Sequence, residues 1–528
     1  MLLQLPPELL TSVCAVLPNS DIKTLRQTCS ALSKRVPLRL TRVFLSPNPL
    51  NIKVFRAVAD HPHLRLGVCE IVYDDARLRT SWLTSHLDDD DAPAEAAVAA
   101  DQTPFERYRQ RTAGRAPAPP SPADRRAHAE RAAQHWFRTT CRRDGDDAAL
   151  LPWAQCWPVY AALARRQLRV VAAGADERAL AYGLARFPQP RRVVVTPAAH
   201  GVVPHAPLYQ TPMIRALPPG GFCYPLPRGW PCVAGASAAS TLPWRAAADG
   251  ERGPRRPRPR LRGMLKQLAE EVAVRRPPAL VVPELVVDVH GLNTGLNPHL
   301  FAQPGDDYAH FATILSQPGF RRLDLPLMLG GLVAERWACL VGGCFRALLA
   351  KARDLAHFRL AGDADDGGDD AAVVVPPGST RHCPLARILP VSRWRRLRHF
   401  GLYRVPVQTE DVLAVLAALP ESVRSVELSF LLFVEGEGAS YRRLLEEMKA
   451  RLRWGARRVE DRPQVRIGLP VRGDEQPGRG LWLEKEVSAF LYGHGRNPFP
   501  SGACRAEYGM GIIMDEFEPE YEQPYVDT

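Results

Sequence analysis

The sequence predicts an α/β fold: a small N-terminal helical unit, then an irregular solenoid of strands and helices interrupted by disordered insertions. Three observations predict it. Two short amphipathic stripes open the chain, a spaced apolar motif of strand type recurs through most of the remainder, and three polar or proline-rich stretches break that recurrence. At 528 residues the chain exceeds one typical core, so one long domain with a small companion is expected.

The first stripe begins at Leu5-Pro6-Pro7-Glu8-Leu9-Leu10 and continues through Val13 and Leu17. Prolines suit a first helical turn, where a missing N–H costs little. Leu17-Pro18-Asn19-Ser20 ends this helix, and Ser20 or Asp21 can cap the next, which carries Ile22, Leu25, Cys29 and Leu32. Two helices this short bury too little surface to stand alone, so their apolar faces need a partner, within the chain or outside it. Leu-Pro-x-Glu-Leu-Leu, Leu-Pro, Asp-Ile and Leu-Arg-x-Thr-Cys together resemble an F-box, with Leu32 standing where that family often carries a Trp. The stretches Arg42 to Leu50 and Glu70 to Leu78 resemble the continuation in filamentous-fungal F-box proteins. This resemblance implies an F-box at 1–46 that docks on the Skp-type adaptor, and through it the cullin, of an SCF ubiquitin ligase. The docking residues it implies are Leu5, Pro6, Leu9, Leu10, Val13, Leu17, Ile22 and Leu25. An ordinary helical hairpin packed on its own domain is the alternative.

Beyond this unit the pattern apolar-x-x-apolar-x-apolar recurs, the strand signature of a leucine-rich repeat. It reads Val68, Ile71, Tyr73; Val282, Leu285, Val287; Phe320, Leu323, Leu325; Leu355, Phe358, Leu360; Leu397, Phe400, Leu402; and Val423, Val426, Leu428. Weaker copies are Pro190, Val193, Val195 and Arg462, Val465, Ile467. The best-formed unit runs from Leu397 to Leu428, with Thr409 as helix cap, Glu410 and Asp411 in the first turn, and Val412, Leu413, Leu416 and Leu419 as a buried face. A second helix follows Ser440. Equivalent strands here lie about 26 residues apart, within the usual 20–29, whereas other spacings are longer. An ordinary α/β domain remains the alternative, and in either case the strands are mostly parallel with helices on one face.

The segments follow from these patterns. The repeat-like domain starts over 47–85, a disordered insertion occupies 86–131, the domain resumes over 132–490 with disordered loops near 245–260 and 363–377, and a tail covers 491–528. Low hydrophobicity and many prolines cannot repay the entropy of ordering such insertions. The acidic end, Asp515 to Glu522, reads equally as a binding tail or as a tail pairing with the Arg-rich body.

The net charge of +12 comes almost wholly from Arg, with Lys rare, which points to biased base composition more than to a phosphate-binding surface; nucleic acid is not expected as a partner. The dense run Arg252 to Arg260 could be a basic address or nucleic-acid patch, but its prolines favour an extended loop. Nothing reads as a signal peptide, and no apolar run approaches about 18 residues, so no membrane association is expected. The eleven cysteines are scattered without CxxC pairs, which fits reduced thiols in the cytoplasm or nucleus.

A search for chemistry finds no Gly-x-Ser-x-Gly, no His-Glu-x-x-His and no Walker loop. Gly291 to Asn297 reads as a loop leaving a strand, Asp74-Asp75 as a turn or cap, and His200 with His205 lacks a neighbouring nucleophile. No cofactor or metal is expected, and the chain reads as a non-catalytic substrate receptor. The alternatives are a scaffold bound to the adaptor outside a ligase, or a hydrolase with an unrecognised site. In the strand pattern, the residues between and after the apolar pair point away from the core. That selects Asp74, Asp288, Asp324, Arg359, Tyr403, Glu427 and Ser429 as one surface for a protein substrate, whose identity the sequence does not reveal.

Overall fold

The structure is a computed structural model. It describes residues 2–17, 19–36, 38–84, 121–141, 150–202, 207–227, 260–274, 282–292, 294–328, 334–363, 383–434, 440–471, 478–500 and 505–525. The expected loops near 245–260 and 363–377 lie outside these residues, apart from Arg260 and Asp363, as does 86–120 of the first insertion.

The N-terminal helices run over Pro7–Val16, Asn19–Thr28 and Ser30–Arg35. Pro7 opens the first, and Cys29 caps the third by accepting from the Leu32 amide at 3.5 Å. Leu10, Cys14, Ile22, Leu32 and Val36 form a small core separate from the main one. The Arg39 guanidinium donates to the carbonyls of Ala15 and Leu17 at the open end of the first helix, where a cation is favoured.

The strands in chain order are β1 Arg42–Leu45, β2 Glu70–Asp74, β3 Arg192–Thr196, β4 Glu284–Val287, β5 Arg322–Pro326, β6 His357–Ala361, β7 His399–Tyr403 and β8 Pro406–Val407. They continue with β9 Ser425–Ser429, β10 Leu432–Phe433, β11 Gln464–Leu469, β12 Arg479–Leu483, β13 Ile512–Asp515 and β14 Glu522–Pro524. Among the described residues twelve strands make one sheet in the order β1-β2-β3-β4-β5-β6-β7-β9-β11-β12-β13-β14, while β8 and β10 pair separately. From β1 to β11 every pairing is parallel and, with β8 and β10 set aside, each strand neighbours the one before it in sequence; β12 to β14 are antiparallel.

All eight recurrences of the apolar pattern fall on strands. Their central residues form one unbroken row, Ile71, Val193, Leu285, Leu323, Phe358, Phe400, Val426 and Val465, each opposite the next. The leading residues Val68, Val282, Phe320, Leu355, Leu397 and Val423 are buried just before each strand. Register holds because a one-residue slip would turn this row out of the main core and bring the charged residues of the other face into it. Helices between the strands, such as Pro49–Asp60, Asp306–Leu315, Thr409–Ala417 and Tyr441–Arg451, bury their apolar residues in the same core. The last of these is the helix expected after Ser440, which caps it, whereas Thr409, expected as a cap, is the first helical residue and Gln408 precedes it without a side-chain bond.

Three segment boundaries need correction. β1 belongs to the main sheet, so the helical unit ends before Arg42 and not at 46. Residues 122–131, expected in a disordered insertion, begin the helix Pro122–Cys141. Its Phe137 joins Trp82, Trp157 and Tyr160 in a second small core, and burying such aromatics orders an otherwise polar helix. The expected tail 491–528 contributes β13 and β14. No described helix is long and apolar enough to cross a membrane.

Candidate functional site

Two surfaces result. The first lies on the N-terminal helices. Leu9, Val13 and Val16 fall one and two turns apart on the first helix and are 54%, 40% and 83% exposed. Of the docking residues expected from sequence, Leu9, Val13 and Pro6 are exposed, and Leu5, Leu17 and Leu25 are half-buried. Leu10 and Ile22 are buried in the unit's own core, so they shape this surface without forming it; Val16 and Leu3 are exposed although neither was among the expected residues.

The second surface is the sheet face turned away from the main core. Alternate strand residues place three rows on it. At the strand starts stand Arg42, Glu70, Arg192, Glu284 and Arg322, side by side on consecutive strands with alternating sign. Arg42 pairs with Glu70, and Arg192 with Glu284, each at 2.6 Å. The row continues with His357 and His399, whose rings stack at 4.1 Å and 11°. Burial first, then the His357 neighbour, pushes the His399 imidazole down to about 4. In mid-strand, Val72, Val194 and Val286 pack with Phe44, next in the row on β1, and with Tyr209, and give way to Asp324, Arg359, Gly401 and Glu427. Burial alone would raise the Asp324 carboxyl, but His357 and the bidentate Arg322, at 3.0 and 2.6 Å, hold it well below the usual carboxylate range. Arg359 crosses β7 to pair with Glu427 at 3.1 Å.

All seven residues expected to meet a substrate lie on or at the end of this face, so the strand register was read correctly. Their accessibility was not. Asp74, Asp324, Tyr403 and Ser429 are 1%, 6%, 8% and 0% exposed; His200 stands beside Asp74, Arg322 and His357 beside Asp324, and Arg359 and Phe430 against Tyr403. Ser429 Oγ accepts from the Gly468 amide at 3.1 Å. Asp74 accepts from the Ala76 amide at 3.0 Å, the turn role expected, and burial pushes its carboxyl up to about 7. Arg359, Glu427 and Asp288 keep some solvent contact.

Sequence reasoning missed the partners that come from far along the chain. His200 Nε2 lies 3.8 Å from Asp74 Oδ2, and its Nδ1 is 2.8 Å from the Tyr224 hydroxyl. His205 lies outside the described residues. At the strand ends Arg359 lies over Tyr403 at 4.3 Å, Tyr403 meets Phe430 at 5.0 Å, and Phe430 meets Trp482 edge-on at 5.7 Å. Arg466 lies over Trp482 at 3.9 Å. His290, Arg404 and Phe430 here adopt φ of 48°, 50° and 54°, a left-handed backbone that side chains of this size rarely take. A cavity of about 10 Å³, room for one water, lies among Asp288, His290, Asp324, Arg359, Tyr403, Arg404 and Glu516.

Asp288, His290 and Glu516 bring three metal-ligating atoms within 4.8 Å of one another. The two carboxylates face different ring nitrogens, Asp288 near Nε2 and Glu516 near Nδ1, which is the geometry of a bridging imidazolium and not of a single cation site. No protein-family model matches the chain, and no curated protein matches it.

Proposed function

We propose that the chain is the substrate receptor of an SCF-type cullin–RING ubiquitin ligase, with an F-box at its start and a leucine-rich-repeat-like solenoid beyond. The observation that carries this reading is the apolar stripe Leu9, Val13 and Val16, left open on a helical unit that already has a core of its own. Exposed apolar side chains gathered on one face mark an interaction surface. The residues around it are those that resemble an F-box. The sequential parallel strands support a solenoid, since from β1 to β11 each strand of the large sheet pairs only with the sheet strands just before and after it in the chain.

In this reading the Skp-type adaptor covers the stripe, and a protein substrate binds the charged open face. The chain supplies no reacting group. It acts by proximity, raising the effective concentration of substrate beside the charged ubiquitin carrier.

The test is co-purification of the adaptor with the full chain and with a Leu9→Glu, Val13→Glu variant. Both positions are exposed, so the fold should survive while adaptor recovery falls to background. Equal recovery by a folded variant refutes the docking surface. Cullin in the wild-type complex separates a ligase receptor from a scaffold that binds the adaptor alone.

A further inference from the structure

At the carboxyl ends of the parallel strands His290 joins segments far apart in the chain. Its Nδ1 is 3.2 Å from Glu516 Oε1, and its Nε2 is 3.5 Å from Asp288 Oδ2. The ring is 12% exposed. Beside it Gly291, at φ 68°, comes so near Gly478 and Glu516 that an added Cβ would stand 3.6 Å from the Gly478 Cα and 3.2 Å from Glu516 Oε2. Arg404 donates to the Gly291 carbonyl at 3.2 Å.

These contacts constrain the sheet from β4 to β13. In the sheet order β13 stands seven places from β4. At about 4.8 Å per strand that is roughly 33 Å along the sheet. The few residues beyond each strand, with both side chains, reach roughly 20 Å. The intervening strands therefore bend into an arc whose two ends this contact ties together.

We propose that His290, as an imidazolium bridging Asp288 and Glu516, is a proton-operated clasp that holds the end of β13 against the loop after β4 and so closes the arc. Charged and titratable groups face the ring from every side. Asp288 and Glu516 favour its cationic form, Arg359 on β6 opposes it, and Arg404 stands behind Gly291. The Tyr209 hydroxyl is 3.5 Å from Nε2, and Asp324 lines the same cavity. Burial alone would lower the His290 pKa, but the two carboxylates outweigh it and raise it above the ordinary value. When the ring loses its proton to solvent, one carboxylate loses its donor and two acids face each other with no cation between them. The clasp is thus complete below the unfolded histidine value of about 6.5 and is lost as pH rises through the higher folded value.

The test is amide hydrogen exchange of the full chain between pH 6 and 9, corrected for intrinsic rates. The opening equilibrium of Ile512–Asp515 should rise with pH, by at most about tenfold per unit for one proton, while Arg322–Pro326 in the sheet interior stays protected. His290→Asn accepts the left-handed backbone without titrating, and Glu516→Gln removes the distal anion. Each should abolish the pH dependence of β13. An unaltered dependence in either variant, or none in the wild type, overturns the proposal. If a variant loses protection at Arg322–Pro326, the wild-type ring titration followed by NMR decides: a midpoint above 6.5 upholds the clasp, and one at or below it refutes it.

Discussion

The ion pair between Arg359 and Glu427 offers the sharpest test of how the open face is built. The two residues are two strands apart, and register places Gly401 directly between them. A Cβ at Gly401 would stand 3.0 Å from Arg359 Cγ, so the bare backbone lets the Arg stem lie across β7. Arg359 Nε then reaches Glu427 Oε2 at 3.1 Å, and Nη2 reaches Oε1 at 3.5 Å. The Arg and Glu side chains are 27% and 14% exposed. Breaking a fully buried pair costs about 3–5 kcal/mol, and losing a surface pair about 0–1. With this exposure, Glu427→Ala should cost about 2 kcal/mol, because the guanidinium keeps some water and the Tyr403 face. Arg359→Met combined with Glu427→Leu should cost less than the sum of the single changes, with a coupling of about 1–2 kcal/mol. Urea unfolding at pH 7, followed by circular dichroism, measures each corner of the cycle. A Glu427→Ala variant within about 0.5 kcal/mol of wild type, or a cycle without coupling, refutes this account.

Further outcomes follow from the same geometry. Gly468→Ala should destabilise by about 1–3 kcal/mol in urea unfolding, because its Cβ would stand 2.9 Å from both the Phe430 and Trp482 rings. Leu10→Ala should loosen the N-terminal unit by about 2–5 kcal/mol, seen as faster amide exchange over Pro7–Arg35 with the main sheet unchanged. The Asp74 carboxyl, raised to about 7, binds its proton more tightly folded than unfolded, so its stabilisation is complete below about 4 and fades as pH rises through about 7. His399, lowered to about 4, acts oppositely: its stabilisation is present above about 6.5 and is lost as pH falls through about 4. Asp74→Asn should flatten the first dependence and His399→Gln the second in urea melts from pH 4 to 8; unchanged slopes would refute the assignments.

Strand position and register were legible because the helix-covered face demands apolar residues at a period of two, and that demand is local. β1 could have been found too: Leu40, Val43 and Leu45 obey the same spacing. The antiparallel β12 to β14 carry no such signature, and the acid-rich stretch around Asp515 disguised a strand as a tail. Asp515 is held by Arg479 at 3.2 Å, which realises the pairing reading of that stretch. The helix Pro122–Cys141 was hidden by its Ala and Arg content, although Trp136 and Phe137 signalled a buried side. Which open-face residues remain accessible was not legible, because it depends on side chains that meet only in the fold, such as Arg322 and His357 on Asp324 and His200 beside Asp74. Neither was the approach of His200 to Asp74 or of Glu516 to His290, since nothing in a local pattern links residues so far apart.

The strictly sequential strand order has a consequence for how the chain is made. Each strand can pair as soon as its successor leaves the ribosome, so the sheet can grow in step with synthesis from one edge. The intervals are very unequal. β7 and β9 are separated only by residues 404–424, whereas β2 must wait through residues 75–191 for β3. At about 5–20 residues per second that wait is roughly 6–23 s. Throughout it, the outer edge of β2 has unpaired amides and carbonyls beside Ile71 and Tyr73, a template for any other strand nearby. Long stretches between repeats therefore cost the nascent chain time at an open edge, and the first of them is where a chaperone would be needed most.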